Sequence, residues 1–595
     1  MVIPLSEYVS RRIRWQREQE SRQRKFILIG NWRLAVGIAA AILAWFAFGS
    51  AAISGWWVLA PVIAFIVLAA WHARVIRART LADRALSYYD RAIARVKDDW
   101  AGKGPSGDEF KNPAHIYADD LDLFGNGSLF QMLSTARTAA GEEMLAAWLL
   151  APATRDVVVE RQQAVDELRP RLDFREDLAL LGEDIRAGVK AGPLAAWGVA
   201  PPLKFSPVLR VVAPVIALAG LATLIAFFAQ ALPIFPFAAI VFCGFVVLYL
   251  IRERVARVAA AAETPGPDLV VLSLILERLE RERFESPLLK KLRSDLDVAG
   301  MPASKRIAKL KRWIELLDSG DHLLLRLLRP VLLWEEQAAM GVEAWRQQSG
   351  PYIGKWIHAV AEFEALSSLA TLAFERPHWA SPTLIEGAEA YFEAEALRHP
   401  LLPESRCVAN NLQVGGEIRL LIVSGSNMSG KSTLLRAAGL NAVLAWAGAP
   451  VAAAELRISP LQVAASMRTV DSLQDNRSRF FAEITRIREI VSLAGGSPPV
   501  FFLLDELLSG TNSRDRAVGA AGIARTLVAS RAIGLITTHD LALAHMEQDL
   551  GPAVRNVHFE DQIANGEISF DYKLKPGVIT RSNALELMRM IGLQV

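Results

Sequence analysis

This 595-residue chain has almost no cysteine: Cys243 and Cys407 are the only two, far apart and in segments of unlike character. That excludes a disulfide-stapled extracellular scaffold and fits a reducing compartment. A charge excess is also missing. The 66 basic and 63 acidic residues leave a net charge of +3, so total charge points to no polyanionic partner, although it says nothing about local patches. Internal repeats and low-complexity tracts are absent, so neither a repeat array nor a polar disordered tract is expected. Apolar residues are abundant instead. They make up 52% of the chain, and the mean hydropathy of +0.25 is high for a soluble protein. The length exceeds one domain and suggests roughly three to five units.

The apolar residues are clustered. Residues 1–33 are strongly basic; 34–49 and 55–71 are then apolar, separated by a short break and followed by Arg74, Arg77, Arg79 and Arg84. Each run approaches the ~20 residues that cross a bilayer core. Trp32, Trp45, Trp56, Trp57 and Trp71 lie in or beside the runs, where indole rings favour the membrane interface. A signal peptide would not carry so long a basic region or a second span immediately after it. A second apolar pair, 208–228 and 231–251, has Lys204 before it, Arg210 just inside its start, and Arg252, Arg254 and Arg257 after it. Pro233 and Pro236 are tolerable near the start of a spanning helix. With basic residues at the outer ends of both pairs, the positive-inside rule puts both ends of each hairpin in the cytoplasm. The expectation is a multi-pass protein of a bacterial-type inner or plasma membrane, with four spans and everything else cytoplasmic.

Between and after these hairpins the chain is charged and helical in period, at 119–149, 155–192 and roughly 268–395. From about 405 it changes to short apolar strands alternating with helices, the pattern of a doubly wound parallel sheet. The stretch RLLIVSGSNMSGKST, residues 419–433, places an apolar strand, a glycine loop and a helix start in succession. Gly425, Ser426, Asn427, Met428, Ser429, Gly430, Lys431, Ser432 and Thr433 form the phosphate-binding G-x-x-x-x-G-K-[ST] loop and its exit. Backbone N–H groups and the helix N-terminus face the phosphates, Lys431 reaches the terminal ones, and the Ser432 hydroxyl can ligate Mg2+. ATP and Mg2+ are the expected ligands. Asp505 follows the apolar run at 500–504 and can hold Mg2+ through water. Glu506 can orient or deprotonate the attacking water. His539, in ITTHD, can sense the terminal phosphate, and Ser478 precedes a helix-like run.

Taken in order, SGSNMSGKST, MRTVDSLQDNRSRFFAE, LLDELLSGTNSRD, TTHD and ISFDYKLKPG resemble the ATPase domain of the MutS family of DNA mismatch-repair proteins, a branch of the ABC-type ATPases. Upstream, EALRHPLL, DLDLFGNGSLFQML and TARTAAGEEMLAAWLLAP resemble the approach to that domain and the family's helical core. The resemblance implies a homodimer whose ATPase domains pair head to tail, Ser478 of one copy capping the triphosphate held by the other, and Asn410 near the base. It also implies DNA as a partner, but a membrane hairpin stands where the mismatch-reading domain would precede the core, and a second interrupts the levers.

The expected fold is multidomain: a mainly α-helical core and lever region with four transmembrane helices, plus a C-terminal α/β P-loop ATPase domain of ABC type. Its expected segments are 1–33, 34–73, 74–205, 206–251, 252–400 and 401–595. The function expected is a membrane-anchored ATPase that moves helical levers. The alternatives are a membrane-tethered DNA repair or recombination factor, suggested by the lysine-rich stretch 289–312, and an ABC-type transporter.

Overall fold

The computed structural model describes residues 4–50, 54–181, 191–263, 265–298, 300–318, 329–387, 389–426, 428–467, 479–508, 513–539, 541–564 and 567–578. The basic N-terminus and the first apolar run are one continuous helix, Pro4–Ala44, and the next helix, Leu59–Val96, returns against it. At 1.5 Å per residue each is about 60 Å long, twice the thickness of a bilayer core. A second antiparallel pair is formed by Pro207–Phe228 and Phe235–Glu263. All four helices are long and apolar enough to cross a membrane, and their most apolar windows are only 6%, 11%, 11% and 17% buried. A fifth apolar stretch, Trp334–Glu375, is 83% buried and supplies the centre of the helical core instead.

That centre is the helix Ile353–Glu375, buried on nearly all sides. It lies against Ala139–Leu150, Arg155–Leu168, Pro265–Arg281 and Pro287–Asp295. Such a helix must be apolar all round, and its terminal Glu375 is paired. Arg95, at the base of the first hairpin, donates to both carboxylate oxygens of Glu375 (2.7 and 2.9 Å). The Tyr8 hydroxyl also donates to Glu375, at 3.2 Å. The first hairpin is thus pinned to the core helix by buried charge. The short strands β1 (Asp297–Val298) and β2 (Met301–Pro302) form a turn leading into the helix Ala303–Asp318.

Strands begin earlier than the sequence pattern suggests. The helical reading extended to about 395, but Tyr391–Leu397 is a strand. Its burial largely alternates, and pairing with its neighbours overrides the weak helical period. It joins a four-stranded sheet of β3 (Thr383–Leu384), β4 (Tyr391–Leu397), β5 (Asn410–Gly415) and β7 (Glu455–Ile458), in the order β3-β7-β4-β5. The larger sheet uses β6 (Leu420–Ser424), β8 (Gln462–Ser466), β9 (Val500–Leu504), β10 (Ile533–Thr538), β11 (Val554–Ala564) and β12 (Glu567–Pro576). Its order is β12-β11-β6-β10-β9-β8, parallel except for the β11–β12 pair. β6, β9 and β10 are buried at every position, as expected for parallel strands covered on both faces. On one face the helix Lys431–Ala447 joins the sheet to the helical core through one continuous apolar cluster. The helices Arg479–Leu493 and Ser513–Ala529 cover the other.

Candidate nucleotide site

Three adjacent strands bring the site together. β10 lies between β6 and β9, with Thr538 beside Ser424 and Ile536 beside Leu504. The glycine loop after β6, Asp505 and Glu506 after β9, and His539 after β10 therefore emerge at the same edge. This is the carboxyl end of a parallel sheet, where ligands bind in open α/β folds.

The loop is shaped by backbone requirements. Gly430 caps the helix Lys431–Ala447 with φ +105°, and a Cβ on Gly425 would fall 2.7 Å from the Ser429 hydroxyl. Met428, without a glycine's freedom, is also left-handed (φ 68°) and 86% exposed. The hydroxyls of Ser426 and Ser429 are buried without a hydrogen-bond partner. Buried orphan donors of this kind need an acceptor, and a phosphate supplies one. Lys431, only 5% exposed, donates to the carbonyls of Gly425 (3.0 Å) and Ser426 (2.8 Å). Burial pushes its pKa down, while Glu506 and Asp505 pull it back up.

The acidic pair is tied to the neighbouring strand. The Thr537 hydroxyl donates to Asp505 Oδ1 at 2.5 Å and accepts from the Glu506 backbone N–H at 2.8 Å. Glu506 has φ 50°, which turns its side chain out of the strand line. His539 Nε2 lies 2.9 Å from Glu506 Oε1 and 3.3 Å from Lys431 Nζ. A neutral imidazole nitrogen cannot serve both: it accepts from the ammonium or donates to the carboxylate. The side chains of Glu506 and His539 remain 45% and 39% exposed, so this side of the site is open to a further covering surface.

A cavity of about 640 Å³ extends from the loop and is lined by Met428, Lys431, Ser432, Thr433 and Glu506 at one end. His399, Cys407, Phe559 and Tyr572 line the rest. Burial, reinforced by Arg436, pushes the His399 pKa down to about 4, so its ring is uncharged at neutral pH. Tyr572 stands over the loop, close enough that a Cβ on Gly430 would be 3.3 Å from its ring. The motif reading missed these walls, as well as Thr537, although EALRHPLL, ISFDYKLKPG and ITTHD carry His399, Tyr572 and Thr537. Asn410 borders the cavity, but its side chain is engaged elsewhere. It donates to the Tyr572 carbonyl (2.9 Å) and accepts from the Leu574 N–H (2.8 Å), fixing the strand that carries Tyr572. Asn427 and Ser478 lie outside the described residues.

With this geometry in place, the comparison with known families is specific. Residues 421–594 match the family model of MutS domain V. This part of the chain is thereby a MutS domain V. In the MutS family, domain V is the ATPase domain, and members of the family work as dimers. The match contains the glycine loop, Asp505, Glu506, Thr537 and His539; it leaves both apolar hairpins, most of the helical core and Asn410 outside.

Proposed function

We propose that the chain is a membrane-anchored MutS-family ATPase whose nucleotide cycle moves the helical region. The carrying observation is that Lys431 and Glu506 line a cavity of about 640 Å³, with His539 within hydrogen-bond distance of both, inside a MutS domain V match. ATP is the substrate. The loop from Gly425 to Thr433 receives its phosphates: backbone N–H groups and the Ser426 and Ser429 hydroxyls supply donors, and Lys431 supplies the cation. His399 and Tyr572 offer an uncharged aromatic wall for the base. Ser432 and Asp505 are the groups that would hold Mg2+, which supplies charge neutralisation at the phosphates when bound. Glu506 accepts the proton of the attacking water, and the His539 hydrogen bond holds its carboxylate in place. The exposed flank of Glu506 and His539 supports a composite site in which Ser478 of a second copy completes the phosphate cage.

The four helices with exposed apolar windows support membrane anchoring, with both hairpins' outer ends in the cytoplasm. Detergent-purified full chain should hydrolyse ATP in a Mg2+-dependent way. Lys431→Ala should abolish both binding and turnover. Ser478→Ala should lose turnover while still binding nucleotide, and should be partly rescued when mixed with Lys431→Ala, because each copy then supplies what the other lacks. Unchanged turnover in Lys431→Ala would refute the site. Membrane-tethered DNA binding is a second reading, carried by the exposed Lys305, Lys309, Lys311 and Arg312 of the helix Ala303–Asp318. Duplex binding that falls steeply with salt would support it; no binding at low salt would remove it.

A further inference from the structure

The second apolar hairpin is exposed along most of its length but buried at one notch. Ala213 and Gly220 on Pro207–Phe228, and Val247 and Ile251 on Phe235–Glu263, are among its few buried positions. What fills the notch is the lever region. A Cβ on Gly244 would fall 1.8 Å from the Pro330 carbonyl oxygen, and one on Gly220 would fall 2.7 Å from Val331 Cγ1. Such close backbone approach needs glycine on the helix face. Gly220 lies about 15 Å along its helix from Arg210 and about 12 Å from Phe228. Gly244 lies about 12 Å from Arg252 and about 14 Å from Phe235. Both glycines are therefore near the middle of the apolar stretch.

The helix Trp334–Ser349 runs from this notch back to the basic end of the hairpin. There Arg346 donates to the carbonyls of Trp197 (3.2 Å), Ala200 (2.9 Å) and Pro201 (3.0 Å), and Glu343 accepts from the Leu203 N–H at 3.0 Å. The helix Ala303–Asp318 accompanies it in the opposite sense. The Trp345 indole donates to the Arg306 carbonyl at 2.7 Å, and Trp313 sits against Gly341. At the notch Arg329 pairs with Glu335 and Glu336, both at 2.7 Å, and Glu336 is wholly buried. Leu333 turns the chain with φ 49° and is itself fully buried.

We propose that Arg329–Leu333 is a re-entrant membrane element: the lever region enters the bilayer beside the second hairpin and docks at mid-depth in the Gly220/Gly244 notch. The inference rests on the membrane reading above and deepens it. The load moved by the ATPase becomes the chain's own intramembrane hairpin and the surrounding lipid acyl chains. Residues 329–332 are helical and only Leu333 breaks the helix; such a break survives at that depth only when buried in protein, and Val331, Leu333 and Glu336 are all buried. Charge survives there only when paired, as Arg329 is with its two carboxylates.

The test uses the full chain with Cys243→Ser and Cys407→Ser, reconstituted in phosphatidylcholine–phosphatidylglycerol vesicles. Spin labels are placed singly at Val331→Cys, at Phe242→Cys on the exposed hairpin surface and at Lys309→Cys on the cytoplasmic side. Nickel-chelate access should be lost at 331 and at 242 and retained at 309, with oxygen access high at 242. Chelate access at 331 but not at 242 would overturn the proposal while leaving the anchor intact; chelate access at 242 would overturn both. Because a label can disturb packing, the pair Gly220→Cys with Val331→Cys gives a second measurement. Oxidative cross-linking in vesicles supports docking, and failure to cross-link in a folded, ATP-binding protein overturns it.

Discussion

At the scale of single residues, chemistry is concentrated where one group is shared between two partners. His539 Nε2 faces both Lys431 and Glu506, so the imidazole can support Glu506 only when the ammonium is engaged elsewhere, as it would be on a phosphate. Glu506→Gln preserves shape but removes the proposed base. We expect turnover to fall by roughly 100-fold or more with nucleotide affinity retained, measured by single-turnover hydrolysis and equilibrium binding; turnover within a few-fold of wild type would exclude Glu506 as the base. Asn410 acts at one remove, through the Tyr572 carbonyl and the Leu574 N–H. Losing those bonds costs about 1–2 kcal/mol. Asn410→Ala should raise KM about 5- to 30-fold and leave kcat nearly unchanged, whereas a fall in kcat alone would contradict a positioning role.

At the scale of elements, two contacts carry measurable consequences. Glu364, fully enclosed on the core helix, accepts from the backbone N–H groups of Arg137 and Thr138 (both 3.2 Å), just ahead of the helix Ala139–Leu150. Burial pushes its pKa from the ordinary 4.5 up to about 7, although these hydrogen bonds pull the other way. The folded protein therefore binds this proton more tightly than the unfolded chain. The associated stability is present at low pH and lost as pH rises from 4.5 through about 7, a difference of about 3 kcal/mol. Tm should fall between about pH 5 and pH 8, and Glu364→Gln should flatten that slope; equal slopes in the two proteins would refute the assignment. Glycine positions give the second test. Gly244→Val drives a side chain into the Pro330 carbonyl, whereas Gly37→Val, on the first hairpin, meets nothing within 4 Å. Folded yield from membranes should drop sharply for the first and hold for the second.

At the scale of the whole molecule, the hairpins are rooted in the core by charge: Arg95 on Glu375 at the base of the first, Arg346 on the carbonyls before the second. Continuous helices then join the core to the apolar surface. The two cysteines report on both ends of this arrangement. Cys407 lines the proposed nucleotide cavity, and burial raises its thiol pKa. Cys243 is exposed on the second hairpin. In vesicles, a charged maleimide should modify Cys407 slowly and ATP should protect it, while Cys243 should react only after detergent is added; rapid labelling of Cys243 in intact vesicles would contradict the anchor. The sequence alone determined the glycine loop, the three central strands β6, β9 and β10, and the four apolar runs, because these depend on local pattern: consecutive buried residues, a fixed glycine spacing, uninterrupted hydrocarbon. Only the tertiary structure decided that the basic N-terminus continues into the first apolar helix, that Tyr391–Leu397 is a strand, that Asn410 serves Tyr572, and that Pro330 meets Gly244. Those outcomes depend on partners far away in sequence, whose contacts outweigh the weak preference each segment has by itself.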